Sequence, residues 1–223
     1  MSGGVARAAV FGVSDGLVSN SSLILGVAGA GSDAAAVRLA GIAGLIAGAV
    51  SMAAGEWVSM QAQRELFEHE LDVERSALAR RPQGETAELT HLYESRGIDP
   101  ALARQMSEEV MRDPELALET HAREELGIDP QELGSPGGAA AGSFASFFAG
   151  GLLPLLPWFV VAGSVAVWSS VLLALLGAAG VGILLARSTG RPWPRVAARQ
   201  VLIAMVAAGA TYGIGSLVGV SVS

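Results

Sequence analysis

The chain has 223 residues, of which 51% are hydrophobic, with 29 glycines, no cysteine and a formal net charge of −7. With its glycines included, about 64% of the chain is apolar. Soluble domains contain roughly 45–50% apolar residues on the same count, so this composition argues against a soluble single-domain enzyme. The charge is also uneven, because residues 64–137 hold 18 of the 21 acidic residues and 8 of the 14 arginines. The composition therefore predicts an acidic polar segment set into a hydrophobic membrane protein.

Uncharged stretches predict five transmembrane helices, since one bilayer crossing needs roughly 20 apolar residues. They lie within residues 8–32, within residues 39–55, twice in the uncharged run 133–186, and at residues 196–218. We therefore predict an all-α integral membrane protein with a cytoplasmic helical insert between the second and third transmembrane helices. The expected division is 1–63 for the first two helices, 64–137 for the acidic insert and 138–223 for the last three.

The arginine positions predict the orientation. Arg7 and the four arginines between the fourth and fifth spans lie on the same side of the membrane as the acidic insert. Basic residues near the ends of spans favour the cytoplasmic side. The N-terminus and the insert are therefore expected in the cytoplasm.

The insert is predicted to be helical throughout. The second span has no glycine or proline break before Arg80, so its helix is expected to continue out of the membrane to that residue, and a further helix is predicted over 85–96. Asp99-Pro100 and Asp113-Pro114 each place a capping aspartate before a proline, which is typical of a helix start.

Glycines recur in the spans at helix-packing spacing, as in Gly44-x-x-x-Gly48 and Gly215-x-x-x-Gly219. Small residues let membrane helices approach closely. Such contacts join helices of one subunit or form the interface of a dimer, and the spacing alone leaves both interpretations open.

Three residues of the first two spans are candidate ligands for a transported cation. A carboxylate within a span, such as Asp15, is costly unless it faces water, an ion or a partner. Met52 and Glu56 are four residues apart and share one helical face. One thioether and two carboxylates suit Fe²⁺ or Mn²⁺, although a methionine in a span is also an ordinary packing residue.

Acidic residues and histidine recur at helical spacing in the insert. The candidate ligands are Glu70, Glu74, Glu85, Glu88, His121 and Glu125. Carboxylates with imidazole suit Fe²⁺, Mn²⁺ or Zn²⁺, and the absence of cysteine argues against a thiolate site. A solvated acidic surface is the alternative interpretation. Glu88-x-x-His91 resembles half of a di-iron motif, but a second copy is missing.

Four motifs together resemble the vacuolar iron transporter family. They are Gly12-Val-Ser-Asp-Gly-Leu-Val-Ser-Asn20, Ser51-Met-Ala-Ala-Gly-Glu-Trp-Val-Ser59, Ala122-Arg-Glu-Glu-Leu-Gly127 and Gly150-Gly-Leu-Leu-Pro-Leu-Leu-Pro157. The resemblance implies a five-helix homodimer with a pathway between subunits and a cytoplasmic metal-binding domain. It also implies export of Fe²⁺ or Mn²⁺ from the cytosol in exchange for protons.

The resemblance assigns pathway positions to Asp15 and Met52, and metal-ligand positions to Glu74, Glu85, Glu88 and Glu125. Gly44 stands where plant members have a pathway glutamate, and Glu56 is a candidate replacement. Ala77 stands where a further glutamate is expected, and Glu70 is its candidate replacement. His121 stands where plant members have methionine, and imidazole remains a competent ligand.

The sequence thus predicts a non-enzymatic transporter with no prosthetic cofactor, whose partners are divalent metal ions, protons, the lipid bilayer and a second copy of the chain. Nucleic acid is not an expected partner, and Zn²⁺ remains an alternative ion. The arginine-only basic set, with abundant alanine and glycine, favours a bacterial inner membrane over a vacuolar one. The alternatives are a membrane-anchored ferroxidase or iron-binding protein, and a non-transporting scaffold with an acidic interaction domain.

Overall fold

The structure is a computed structural model that describes residues 3–222, with side chains described for residues 9–219. This range contains eight α-helices and no strand. They are α1 (Gly3–Gly29), α2 (Ala34–Arg80), α3 (Pro82–Ser95), α4 (Pro100–Val110), α5 (Pro114–Glu124), α6 (Pro136–Leu155), α7 (Gly163–Thr189) and α8 (Trp193–Val222), with a 3-10 helix at Leu156–Phe159 between α6 and α7. Five of these helices, α1, α2, α6, α7 and α8, are long and apolar enough to cross a membrane, which confirms the predicted number of spans.

The chain divides into two compact units. The membrane unit comprises Met1–Trp57 and Pro136–Ser223, and the acidic unit comprises Val58–Ser135. Helix α2 has 47 residues and contributes to both units. At 1.5 Å per residue it is about 70 Å long, more than twice the hydrocarbon thickness of a bilayer. The predicted continuation of the second span to Arg80 is therefore confirmed.

The short helices of the acidic unit begin where the aspartate-proline pairs predict. A side-chain oxygen of Asp99 accepts from the backbone N–H of Ala101 at 3.0 Å, and Asp113 caps α5 in the same way. The prediction of a helix start at Glu85 was wrong by three residues, because α3 begins at Pro82. Proline is tolerated at the first helical position, where its missing N–H leaves no hydrogen bond unmade.

Glycine determines how closely α1 packs against its neighbours in the membrane unit. A Cβ built on Gly16 would overlap the carbonyl of Phe147 in α6, and one on Gly215 would overlap the carbonyl oxygen of Gly26. Gly219 meets the backbone of Ala30 in the same way. The Gly215-x-x-x-Gly219 motif therefore packs α8 against the C-terminal end of α1 in the same chain.

Two small hydrophobic clusters hold the acidic unit together. Leu71 of α2 packs with Leu118 and Ala122 of α5, and Leu89 and Tyr93 of α3 pack with α4. An ion pair joins Arg96, just after α3, to Glu124 at the end of α5. These contacts bring the acidic faces of α2, α3 and α5 together.

Candidate metal sites

Three of the predicted ligands converge in the acidic unit. Glu74 on α2, Glu85 in the first turn of α3 and His121 on α5 each offer a ligand atom, and these atoms lie within 4.8 Å of one another. We call these three residues the carboxylate–imidazole cluster. Their convergence depends on the packing of three helices that are separated in sequence.

His121 is held rigidly and is fully buried. Its Nδ1 lies 2.8 Å from the carbonyl oxygen of Ala117, one turn earlier on α5. Its Nε2 lies 3.3 Å from the backbone carbonyl oxygen of Glu85, so both ring nitrogens face an acceptor and Nδ1, at the shorter distance, is the better placed donor. Nε2 lies 3.9 Å from a carboxylate oxygen of Glu125. An oriented imidazole of this kind is typical of a metal ligand.

The carboxylates of the cluster lack sufficient counter-charge. Burial raises the pKa of Glu85, and the neighbouring Glu88 and Glu74 raise it further. Arg81 opposes this shift through a contact of 3.4 Å between its Nη2 and Oε1 of Glu85. Burial also raises the pKa of Glu125, with His121 lowering it and the charges of Glu88 and Glu85 adding to the rise. A divalent cation would offset this repulsion.

One oxygen of the cluster has no partner at all among the described residues. Oε1 of Glu74 is buried and makes no hydrogen bond. An unpaired buried acceptor is costly, and a bound cation would satisfy it. The donor set of carboxylates and one imidazole fits Fe²⁺, Mn²⁺ or Zn²⁺.

The other predicted ligands of the acidic unit lie around this cluster or outside it. The charge of Glu88 raises the pKa of Glu85, and the charge of Glu85 raises the pKa of Glu125. Glu88 and Glu125 also line an open surface cavity together with His91. Glu70 is half-buried one turn before Glu74 and is not in the group of three. Its role as a replacement ligand remains a prediction.

All three predicted pathway residues line one cavity in the membrane unit. The cavity has a volume of about 510 Å³ and is formed by α1, α2 and α6. Its wall includes Asp15 of α1 together with Met52 and Glu56 of α2. Met52 is half-buried and also packs against the main hydrophobic cluster of this unit, so its packing role and its exposure to the cavity coexist.

The ionisable side chains of the cavity wall are all acidic. Its described lining residues include two carboxylates, and none of them carries a positive charge. Gly44 is also in the wall, so the position of the missing glutamate and its candidate replacement Glu56 both face this space. Sequence reasoning missed four polar lining residues, Ser19, Asn20, Ser51 and Ser143, although an asparagine in an apolar span was a visible signal.

The chain is similar in sequence to known proteins over most of its length. A sequence model of the VIT family matches residues 6–216. A protein of Acanthamoeba castellanii named vacuolar iron transporter is 38% identical over 181 residues, which cover 78% of this chain and 65% of that protein. Vacuolar iron transporter 2 of Oryza sativa subsp. japonica is 32% identical over 97% of this chain and 88% of its own length. Vacuolar iron transporter 1 of Arabidopsis thaliana is 28% identical, with 97% of this chain and 87% of that protein covered.

These matches confirm the resemblance that the four sequence motifs carry. The family match extends over the cavity residues and the whole carboxylate–imidazole cluster. With five candidate spans, the protein is a multi-pass membrane protein. The chain belongs to the VIT family, the vacuolar iron transporters.

Proposed function

We propose that this protein transports divalent iron or manganese out of the cytosol in exchange for protons. The observation that carries this proposal is the cavity of the membrane unit, whose wall combines Asp15, Met52 and Glu56 without a basic residue. Carboxylate and thioether ligands together suit Fe²⁺ and Mn²⁺ better than Mg²⁺ or Ca²⁺. The names of the relatives, which specify iron transport, support the same class of cargo.

The proposed mechanism has four steps. The carboxylate–imidazole cluster captures the hydrated ion on the cytoplasmic side, and the ion then passes to Glu56 and Met52. Asp15 accepts it within the membrane. When the cation leaves towards the outside, a proton replaces it on the carboxylate, which thereby alternates between ion and proton.

We further propose that two copies of the chain form the working unit in a bacterial inner membrane, or in a vacuolar membrane if the source is eukaryotic. Asp15 is exposed on the isolated chain, although it lies in a membrane-spanning helix. An exposed carboxylate at this depth would be costly against lipid, and a second copy that closes the cavity would remove this cost.

The proposal is tested by Asp15→Asn in proteoliposomes, with Fe²⁺, Mn²⁺ and Zn²⁺ flux and internal pH measured together. We expect loss of both metal flux and the coupled proton flux, because a neutral amide cannot exchange a cation for a proton. Asp33→Asn is the matched control. Asp33 caps α2 through a 2.7 Å bond from the backbone N–H of Ala36, and asparagine caps helices equally well. Coupled flux in the Asp15→Asn variant at the rate of the control would refute the proposal.

A further inference from the structure

The amide of Asn20 has one satisfied end and one unsatisfied end. Asn20 is only 2% exposed, and its Nδ2 donates to the carbonyl oxygen of Gly151 in α6 at 2.7 Å. Its Oδ1 is buried and has no hydrogen-bond partner among the described residues. Because a carbonyl oxygen only accepts, the amide nitrogen must face Gly151 and the oxygen must face the other way.

The free oxygen is directed at the cavity that contains the pathway residues. Asn20 lines this cavity together with Asp15 and Met52. A Cβ built on Gly44 would lie 3.2 Å from Oδ1, so the buried oxygen faces the glycine of α2 that also lines this cavity. Helix packing explains the nitrogen end of the amide, since polar side chains commonly hydrogen-bond between membrane helices. It does not explain the buried oxygen.

We propose that Oδ1 of Asn20 is a ligand of the transported cation, at a position beyond Asp15 along α1. This inference rests on the proposed transport function and adds a residue to its pathway. Asn20 follows Asp15 by five residues, which places it about 7.5 Å farther along the helix axis. A neutral amide oxygen binds Mn²⁺ or Fe²⁺ more weakly than a carboxylate does, so it can pass an ion onward without retaining it.

The same geometry gives Gly44 a role. A side chain at position 44 would overlap Leu23 of α1. Gly44 therefore lets α2 approach Leu23 and Asn20 closely at this level of the cavity. The oxygen that the cation meets at this level therefore comes from α1, and position 44 contributes space.

The first test compares Mn²⁺ flux into proteoliposomes for Asn20→Leu and Asn20→Asp. Leucine preserves the approximate volume and removes the oxygen, and we expect the maximal rate to fall at least tenfold. Aspartate loses the donor to Gly151 just as leucine does, but it keeps an oxygen ligand and adds charge, so we expect measurable flux with half-saturation at a lower Mn²⁺ concentration. Equal losses in both variants would indicate a purely structural role and overturn the inference.

Ser170→Ala is the matched structural control. Ser170 is fully buried, and its hydroxyl donates to the carbonyl oxygen of Pro154 in α6 at 2.6 Å, but it does not line the cavity. This variant loses a buried bond to the same helix, and its flux should stay within twofold of the unsubstituted protein. If Asn20→Leu also stays within twofold, the amide oxygen is not a ligand.

A second readout does not depend on transport. The chain has no cysteine, so Asn20→Cys introduces a single thiol at the cavity wall. Because position 20 is almost fully buried, we expect a small water-soluble thiol reagent to label it slowly, and Mn²⁺ to slow this labelling several-fold further. Ser188→Cys, on the exposed surface of α7, should react at a rate that Mn²⁺ does not change. Equal labelling rates at position 20 with and without Mn²⁺ would overturn the inference, whereas absence of flux in the unsubstituted protein would refute only the proposed transport function.

Discussion

Single side chains determine the proposed chemistry through what surrounds them. The sequence shows only that Glu85 is a carboxylic acid. Its raised pKa comes from burial and from the neighbouring charges of Glu88 and Glu74. The ring of the candidate ligand His121 is oriented by the carbonyl oxygen of Ala117, which lies 2.8 Å from Nδ1. The sequence identified these residue types and their helical spacing. It could not show which of them meet, since this depends on the packing of three separate helices.

Metal binding by the acidic unit should depend on pH. The raised pKa values of Glu85 and Glu125 mean that protons compete with a cation at higher pH than for exposed carboxylates. Affinity for Mn²⁺ should therefore fall as the pH is lowered from 7.5 to 5.5, with a limiting slope of about tenfold per pH unit for each proton displaced.

Titration calorimetry of the full-length protein in detergent, in buffers of different ionisation enthalpy, measures both affinity and proton release. Glu85→Gln should bind Mn²⁺ more weakly and release fewer protons per ion. An Mn²⁺ affinity that is constant between pH 7.5 and pH 5.5 would contradict the assignment.

At the scale of whole helices, local sequence signals were strong. Asp99 and Asp113 begin helices as predicted, and α2 continues uninterrupted to Arg80. The glycine motifs were less informative, because spacing alone does not identify the helix that each glycine meets. The structure places Gly215 against Gly26 of the same chain.

Gly215→Ala should therefore destabilise the protein. The added methyl group would overlap backbone atoms of α1, which cannot move aside as a flexible side chain would. Overpacking of this kind costs roughly 1–3 kcal/mol. Thermal unfolding of the detergent-solubilised protein should show a lower midpoint.

Gly213→Ala is the control for this substitution. Gly213 lies two residues earlier on α8, and a Cβ there would meet no atom within 4 Å. Its unfolding midpoint should remain close to that of the unsubstituted protein. Equal midpoints for Gly213→Ala and Gly215→Ala would show that the α1–α8 contact is not tight.

At the scale of the whole molecule, capture and translocation are assigned to different units. The combined variant Glu85→Gln, Glu88→Gln should raise the Fe²⁺ concentration for half-maximal flux about tenfold or more, because neutral amides replace two charged carboxylates in and beside the carboxylate–imidazole cluster and bind the cation more weakly. The maximal rate should change little, since the cavity of the membrane unit is untouched. Flux measured over a range of Fe²⁺ concentrations separates these two quantities.

The combined variant Glu108→Gln, Glu109→Gln makes the same change in charge on α4. Both residues form only exposed ion pairs, with Arg104 and Arg112, and such pairs contribute little. Half-saturation should therefore be unaffected. A loss of maximal rate without a change in half-saturation in the Glu85, Glu88 variant would contradict the separation of roles.

The sequence by itself predicted the class of this protein, its five spans, an acidic insert and a set of candidate cation ligands. These follow from composition, hydropathy and local helix signals, which act over a few residues and do not require knowledge of packing. Tertiary structure alone decided that Glu74, Glu85 and His121 meet, and that Asn20 directs an unpaired oxygen into the cavity. These placements arise from contacts between helices that are distant in sequence. Burial and orientation at those contacts determine the pKa and the hydrogen-bond partners of each polar group.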